Sequence, residues 1–244
     1  MKLDVLAIGA HPDDVELGCG GTLALLARHG RRVGILHLTQ GERGTRGTPA
    51  GRRAEAERAA AALGAAELAF LDCGDGAFGT GEAEEDALIA VLRRHRPDLV
   101  LGPAPADRHP DHGRAHQLAE AACFYAGLAN RAPDRGAPFR PAAVFSYMQH
   151  DPFAPSFVVD VTAVWEAKIE ALAAYRSQLF QPGKADGGAT LPITKVASRE
   201  FRLAVDGRAR HFGALIGAEL GEPFWSRLPI AVHDPMAILP GGVR

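Results

Sequence analysis

The chain has no excess of charge, few aromatic residues, three cysteines and no long hydrophobic run, and each shortage excludes a class of protein. Lysine plus arginine number 27 against 29 acidic residues, a formal net charge of -2. So even a balance leaves no electrostatic footprint for nucleic acid or for an anionic membrane. No apolar stretch nears 18 residues, which excludes a transmembrane helix. The N-terminal MKLDVLAIGAHPDD has a lysine and an apolar run, but acids follow at once without a cleavage site, so it reads as an opening strand and not a signal peptide. Cys19, Cys73 and Cys123 are odd in number and scattered, as expected of small reduced core residues in a cytoplasmic protein. No Cys-x-x-Cys pair exists for a structural zinc site, no GxxxxGK[ST] for a P-loop and no GxSxG for a serine hydrolase. What is present is 244 residues, 47% of them hydrophobic, enough for one large domain with a sizeable core.

The first 128 residues alternate short apolar runs with longer amphipathic ones. Strands are expected at 4–10, 33–39, 67–72 and 98–103, and helices at 15–29, 51–63, 84–96 and 113–128. Strand–helix alternation at this spacing implies parallel β/α/β units, hence an α/β, doubly wound, Rossmann-like three-layer sandwich with a mostly parallel sheet. Beyond 129 the texture changes. A Pro/Gly/Arg loop at 130–141 is followed by strand-like AAVFSYM and SFVVDV, a helix at 165–178 and a Gly-rich loop at 181–192. We read 129–244 as an elaboration of one domain spanning 1–244, contributing to the same pocket. Glycines at 18, 20 and 21 evoke a dinucleotide fingerprint, but Leu23 stands where the third glycine is needed and no acid closes the second strand.

Two polar clusters fall where strands are expected to end and helices to begin, the edge of an open parallel sheet at which ligands bind. In AHPDDVE (10–16), one aspartate could simply cap the helix. That leaves unexplained a second aspartate and a histidine around a proline. Imidazole and carboxylate can supply N and O ligands to a divalent metal, with the spare carboxylate as a base. ADRHPDHGRAH (106–116) offers His109 and His112 at the corresponding edge, enough to complete a three-ligand site with an open position. His112 and His116 are i, i+4, but Gly113 occupies the glutamate position of HExxH, and His116 reads as a helix-face residue. The remaining lone histidines, His37 among them, read as structural.

AHPDD with HPDH resembles the LmbE/PIG-L family of metal-dependent N-acetylglucosamine deacetylases. GERGTRGT (41–48), Arg52, Glu55, DRHPDH (107–112), SYMQH (146–150) and PSFVVDVT (155–162) look like its bacillithiol-forming subgroup, which deacetylates N-acetylglucosaminyl malate. The resemblance covers most of 1–180. It implies His11, Asp14 and His112 as ligands of Zn2+, with Fe2+ possible for such a donor set. It further implies Asp13 as general base and His109 as the group that stabilises the oxyanion or protonates the leaving amine, a role suited to an imidazolium. Asp111 would orient His109 or His112. A homo-oligomer, trimer or hexamer, is also implied.

Substrate contacts are expected from the loop at 41–52 and the second half of the chain. Arg52, Arg53 and Arg108 could fork onto malate carboxylates, Glu42 could reach sugar hydroxyls, and Tyr147, Gln149 and His150 could wall the sugar pocket. Some relatives use a tyrosine near the turn where this chain has Arg108. Much of the arginine content is compositional, since 23 of the 27 basic residues are arginine. An inositol glycoside or a chitooligosaccharide is the alternative substrate, and a catalytically silent carbohydrate-binding protein the alternative role. The small-molecule sugar conjugate is the only partner expected.

Overall fold

The computed structural model describes residues 1–180 and 194–238 of the 244. The loop expected at 181–192 lies outside the described residues. Five strands, β1 (Val5–Gly9), β2 (Val33–His37), β3 (Glu67–Phe70), β4 (Leu99–Pro103) and β5 (Ala143–Tyr147), pair in parallel. Two more, β6 (Phe157–Asp160) and β7 (Gly221–Trp225), extend the same sheet antiparallel, in the order β3-β2-β1-β4-β5-β7-β6.

The central strands are apolar throughout because both sheet faces are covered. Val5 and Ala7 of β1 join Val33 and Ile35 of β2 in one core, while Leu6 and Ile8 join Leu36 and Leu38 in the other. The first core is closed by α1 (Asp14–Arg28), α2 (Pro49–Ala62), α5 (Trp165–Ala174) and α6 (Arg199–Leu215), through residues such as Leu23, Ala59, Leu172 and Val205. The second is closed by α3 (Glu82–His95) and α4 (Pro110–Tyr125), through Leu92 and Leu118. Local signals set the helix starts. Thr48 accepts the Gly51 N–H ahead of Pro49, and acids at Glu82, Glu84 and Glu85 face the positive end of α3, whose last turn is Arg93, Arg94 and His95.

The chain leaves β1 toward β2 and returns on the other side to β4, so the connections diverge between β1 and β4. A crevice opens there above the strand C-termini. Both His-Pro-Asp turns sit at that crevice, one after β1 and one after β4. Helix α6 and strand β7 were not anticipated from sequence. β7 is a short strand containing Pro223, between β5 and β6, a position that depends on partners far away in the chain.

His37, at the end of β2, is fully buried against Phe70 at 5.2 Å between ring centroids. Burial pushes its imidazole down to about 3. A depressed histidine is neutral in the fold but protonated in the unfolded chain below about pH 6.5. Its contribution is therefore fully present above that pH and is lost as pH falls toward 3, at about 1.4 kcal/mol per pH unit. His37→Phe should flatten the wild-type acid slope by that amount between pH 6 and 4, read from urea midpoints across pH.

Candidate active site

The first turn is built under strain. Asp13, ahead of α1, has φ 108° and ψ -21°, and its side chain makes no capping hydrogen bond. A side chain in this backbone region costs about 1–3 kcal/mol and is held there by its surroundings. Part of the holding comes from Arg52, whose guanidinium donates to the Pro12 carbonyl at 2.6 Å and the Gly41 carbonyl at 3.1 Å and lies 3.7 Å from the Asp13 carboxylate. Asp14 points the other way. Its Oδ2 accepts the His11 N–H at 2.8 Å and its Oδ1 accepts from Gln149 Nε2 at 2.6 Å.

The second turn brings His112 to the same carboxylate. His112 Nε2 lies 3.2 Å from Asp14 Oδ1, and His11 Nδ1 lies 3.5 Å from Asp14 Oδ2. One ring nitrogen from each of His11, His109 and His112 falls within 4.8 Å of the others. The far nitrogens face carboxylates. His11 Nε2 is 3.2 Å from both Asp75 and Asp111, and His112 Nδ1 is 3.1 Å from Asp107. Asp111 thus serves His11, neither His109 nor His112 by its side chain, and is fixed by Gly76 N–H and Arg114. Two imidazoles around a buried carboxylate, each backed by another carboxylate, form a donor set that fits a divalent cation of the zinc or iron kind.

The charges are sorted by contact. Burial alone would raise Asp14, but His112 and His11 override it and hold the carboxyl well below the usual range. Burial opposes charge on His112, yet Asp14 and Asp107 raise it to about 9, and Asp111, Asp14 and Asp75 raise His11 in the same way. Asp13 is pushed up to about 7 by burial, with Arg52 offsetting part of the rise and Asp14 adding to it. His109 is lowered by burial and by the neighbouring His11 and His112. Its Nδ1 accepts the Asp111 N–H at 3.2 Å as the cap of α4, so in the neutral ring the proton is on Nε2. This differs from the imidazolium expected from sequence: a neutral Nε2–H donor is what this environment favours.

These groups line a pocket of about 260 Å³, with Arg43, Arg52, Arg108, Gln149, His150 and Gln178 among its walls. Of the residues expected to contact substrate, Arg52, Arg108, Gln149 and His150 reach it, although Arg52 is buried and engaged with backbone carbonyls. Three do not line it. Arg53 is exposed and stacks over Phe70 at 4.1 Å. Glu42 accepts the N–H groups of Gln40 and Asp75 and so braces two loops. Tyr147 is fully buried and donates to the Ile8 carbonyl. The sequence reading passed over Asp75 and Asp107. Both follow strands at the same edge, and that placement was the signal available for them.

The GlcNAc-PI de-N-acetylase (PIG-L) family model matches residues 6–123. The diacetylchitobiose deacetylase of Thermococcus kodakarensis is 35% identical over 185 residues, covering 71% of this chain and 69% of that protein. A 4-oxalmesaconate hydratase of Pseudomonas putida is 32% identical over 190 residues, covering 68% and 70%. Among solved structures, the conserved protein TT1542 of Thermus thermophilus superposes with a TM-score of 0.84 at 39% identity, covering 96% of this chain and 98% of that one.

Proposed function

Because the chain belongs to the PIG-L family of de-N-acetylases, we propose that it is a metal-dependent amidase that removes the acetyl group from an N-acetylglucosaminyl conjugate, with N-acetylglucosaminyl malate as the best-fitting substrate. The observation that carries this reading is the convergence of His11, Asp14 and His112 beside an aspartate, Asp13, whose carboxyl caps no helix and pairs with Arg52 only at 3.7 Å.

In this reading His11, Asp14 and His112 hold the ion, zinc or iron. A divalent ion so bound supplies Lewis acidity, polarising a carbonyl and lowering the pKa of a water to about 7. Asp13 takes the proton from the attacking water and later returns it toward the leaving amine. Its position near 7 suits that exchange at neutral pH. His109 donates from Nε2 to the oxygen on which charge develops. Asp111 orients His11 by accepting from its Nε2, with Asp75 3.2 Å from the same nitrogen, and Asp107 sets a carboxylate charge 3.1 Å from His112 Nδ1.

The acidic aglycone is supported by Arg43 and Arg108. Both line the pocket, and among the described residues neither side chain has an ion-pair partner. Two such guanidiniums at one mouth match the two carboxylates of malate. Arg43→Gln or Arg108→Gln should raise KM for the malate glycoside by about 10–100-fold, the worth of a charged hydrogen bond, and leave free N-acetylglucosamine hydrolysis within threefold.

Primary-amine release is the direct test. Zinc- or iron-loaded protein would be given N-acetylglucosaminyl malate, the inositol glycoside, diacetylchitobiose and free N-acetylglucosamine. Preference for the malate glycoside supports the whole reading, and preference for another sugar keeps the amidase and removes the malate assignment. No amine from any of them, with metal bound, rejects the amidase; hydration of an unsaturated dicarboxylate, followed by ultraviolet absorbance, would then favour hydratase chemistry like that named for the Pseudomonas relative. The family resemblance also implies a trimer or hexamer, which sedimentation velocity would read.

A further inference from the structure

The glycines at 18, 20 and 21 lack dinucleotide spacing, and their surroundings show what they serve. α1 is interrupted at Cys19, whose φ -141° and ψ 19° are non-helical. A Cβ on Gly18 would fall 2.1 Å from the Tyr147 ring, and one on Gly21 would fall 3.0 Å from Glu222 Oε1 and 2.9 Å from Val161. The short turn that carries Asp13 and Asp14 is therefore separated from the rest of α1 at a place where other elements press in closely.

Those elements bring charge into the core. Glu222, from β7, accepts the N–H groups of Gly21 at 2.9 Å and Thr22 at 2.7 Å, the Thr22 hydroxyl at 2.6 Å and Lys168 Nζ at 2.5 Å. Both Lys168 and Glu222 are about 2% exposed. A buried carboxylate with four donors caps the second part of α1 from inside the protein. On the other side of the break, the Leu17 carbonyl accepts from Lys168 Nζ at 3.0 Å and from Arg208 Nη2 at 3.3 Å. Arg208, on α6, also donates through Nη1 to the Gln149 carbonyl. Gln149 in turn donates from Nε2 to Asp14 Oδ1, and the next N–H, of His150, donates to Asp107, the carboxylate behind His112.

We propose that Arg208 is a positioning residue: by clamping the carbonyls of Leu17 and Gln149 it holds Gln149 on Asp14 and fixes the turn that presents Asp13 and Asp14. The inference rests on the reading of Asp14 as a metal ligand given above. Arg208 does not line the pocket. It acts through Gln149, whose side chain reaches the site only if its own backbone is held. Lysine cannot replace the planar fork fully, because two carbonyls from two elements must be met at once.

The test measures zinc affinity, by competition with a chromophoric chelator, alongside kcat and KM for amine release. Arg208→Met should weaken zinc about tenfold and lower kcat by about 10–100-fold, with KM changed less than threefold, the scale for groups that orient metal ligands. Arg208→Lys should recover part of both losses. Gln149→Ala should fall in the same range, and the Arg208→Met, Gln149→Ala double variant should be no worse than the poorer single, as expected when one residue acts through the other. Arg210→Met, on the same helix but paired, among the described residues, only with Glu219 at the surface, should match wild type. Zinc affinity and kcat within twofold of wild type in Arg208→Met, or fully additive losses in the double variant, would overturn the proposal. Should Arg208→Met not fold, Arg208→Lys carries the same cycle with Gln149→Ala. Failure of the wild type to release amine would count against the amidase reading alone, since the zinc-affinity cycle still decides the positioning.

Discussion

Asp13→Asn is expected to lower kcat by about 10³-fold, within the range that a positioned general base contributes, while zinc content stays at the wild-type level. The amide is nearly isosteric with the carboxylate but cannot take a proton from water. The ligand-type atoms of His11, Asp14 and His112 are untouched by the change. Stability should move the other way. Asp13 is buried and its carboxyl is pushed up to about 7 by that burial, so the wild type holds a carboxylate where a neutral group is preferred. It also holds a strained backbone at φ 108°. Asp13→Gly, which removes charge and strain together, should be stabilised by about 1–3 kcal/mol and be as inactive as the asparagine variant. Urea denaturation paired with metal analysis reads both effects. A variant that keeps activity within tenfold would remove Asp13 from the role of base.

Removal of the metal is the second large effect. Dialysis against a chelator should take amine release to background, and zinc or ferrous ion should restore it. His112→Ala should lower kcat by about 10³-fold or more, because Lewis-acid assistance is worth several kcal/mol and each decade of rate is about 1.4 kcal/mol. Asp107→Asn leaves the imidazole in place and neutralises the carboxylate 3.1 Å from it, which also accepts the His109 and His150 N–H groups, so about 10–100-fold is expected. That ordering, with the ring costing more than the carboxylate behind it, separates a ligand from its support. Zinc at 100 times its Kd should also stabilise the fold by about 2.7 kcal/mol, a shift that His112→Ala should abolish. Equal thermal midpoints with and without zinc in the wild type would argue against a metal at this cluster.

Much of the architecture was legible because its signals are local. VLAIG and VGILH read as strands buried on both faces, and α2 and α4 were expected at 51–63 and 113–128, although they begin earlier, at Pro49 and Pro110. The two His-Pro-Asp turns lay at strand ends, and a parallel sheet gathers such ends along one edge whatever the details of packing. α6 was less legible. Its apolar residues Phe201, Val205, Ala209 and Phe212 do follow a helical spacing, but Gly207 and several arginines interrupt the pattern, and its role depends on what it covers.

By itself the sequence determined the alternation of strands and helices, the sheet edge that gathers polar side chains and the residue types available there, all of which follow from periodicity and turn chemistry over a few residues. Only the tertiary structure decided how those residues are paired. It set Asp111 and Asp75 behind His11 and Asp107 behind His112. It sorted the arginines into Arg52 bound to carbonyls, Arg53 turned outward and Arg43 and Arg108 left facing the pocket. It brought Glu222 from the end of the chain to the glycines near its beginning. Except for Asp107 with His112, five positions apart, such pairings join residues from 11 to 201 positions apart, and no local pattern encodes which partner a long side chain will meet once the sheet order and the helix faces are fixed.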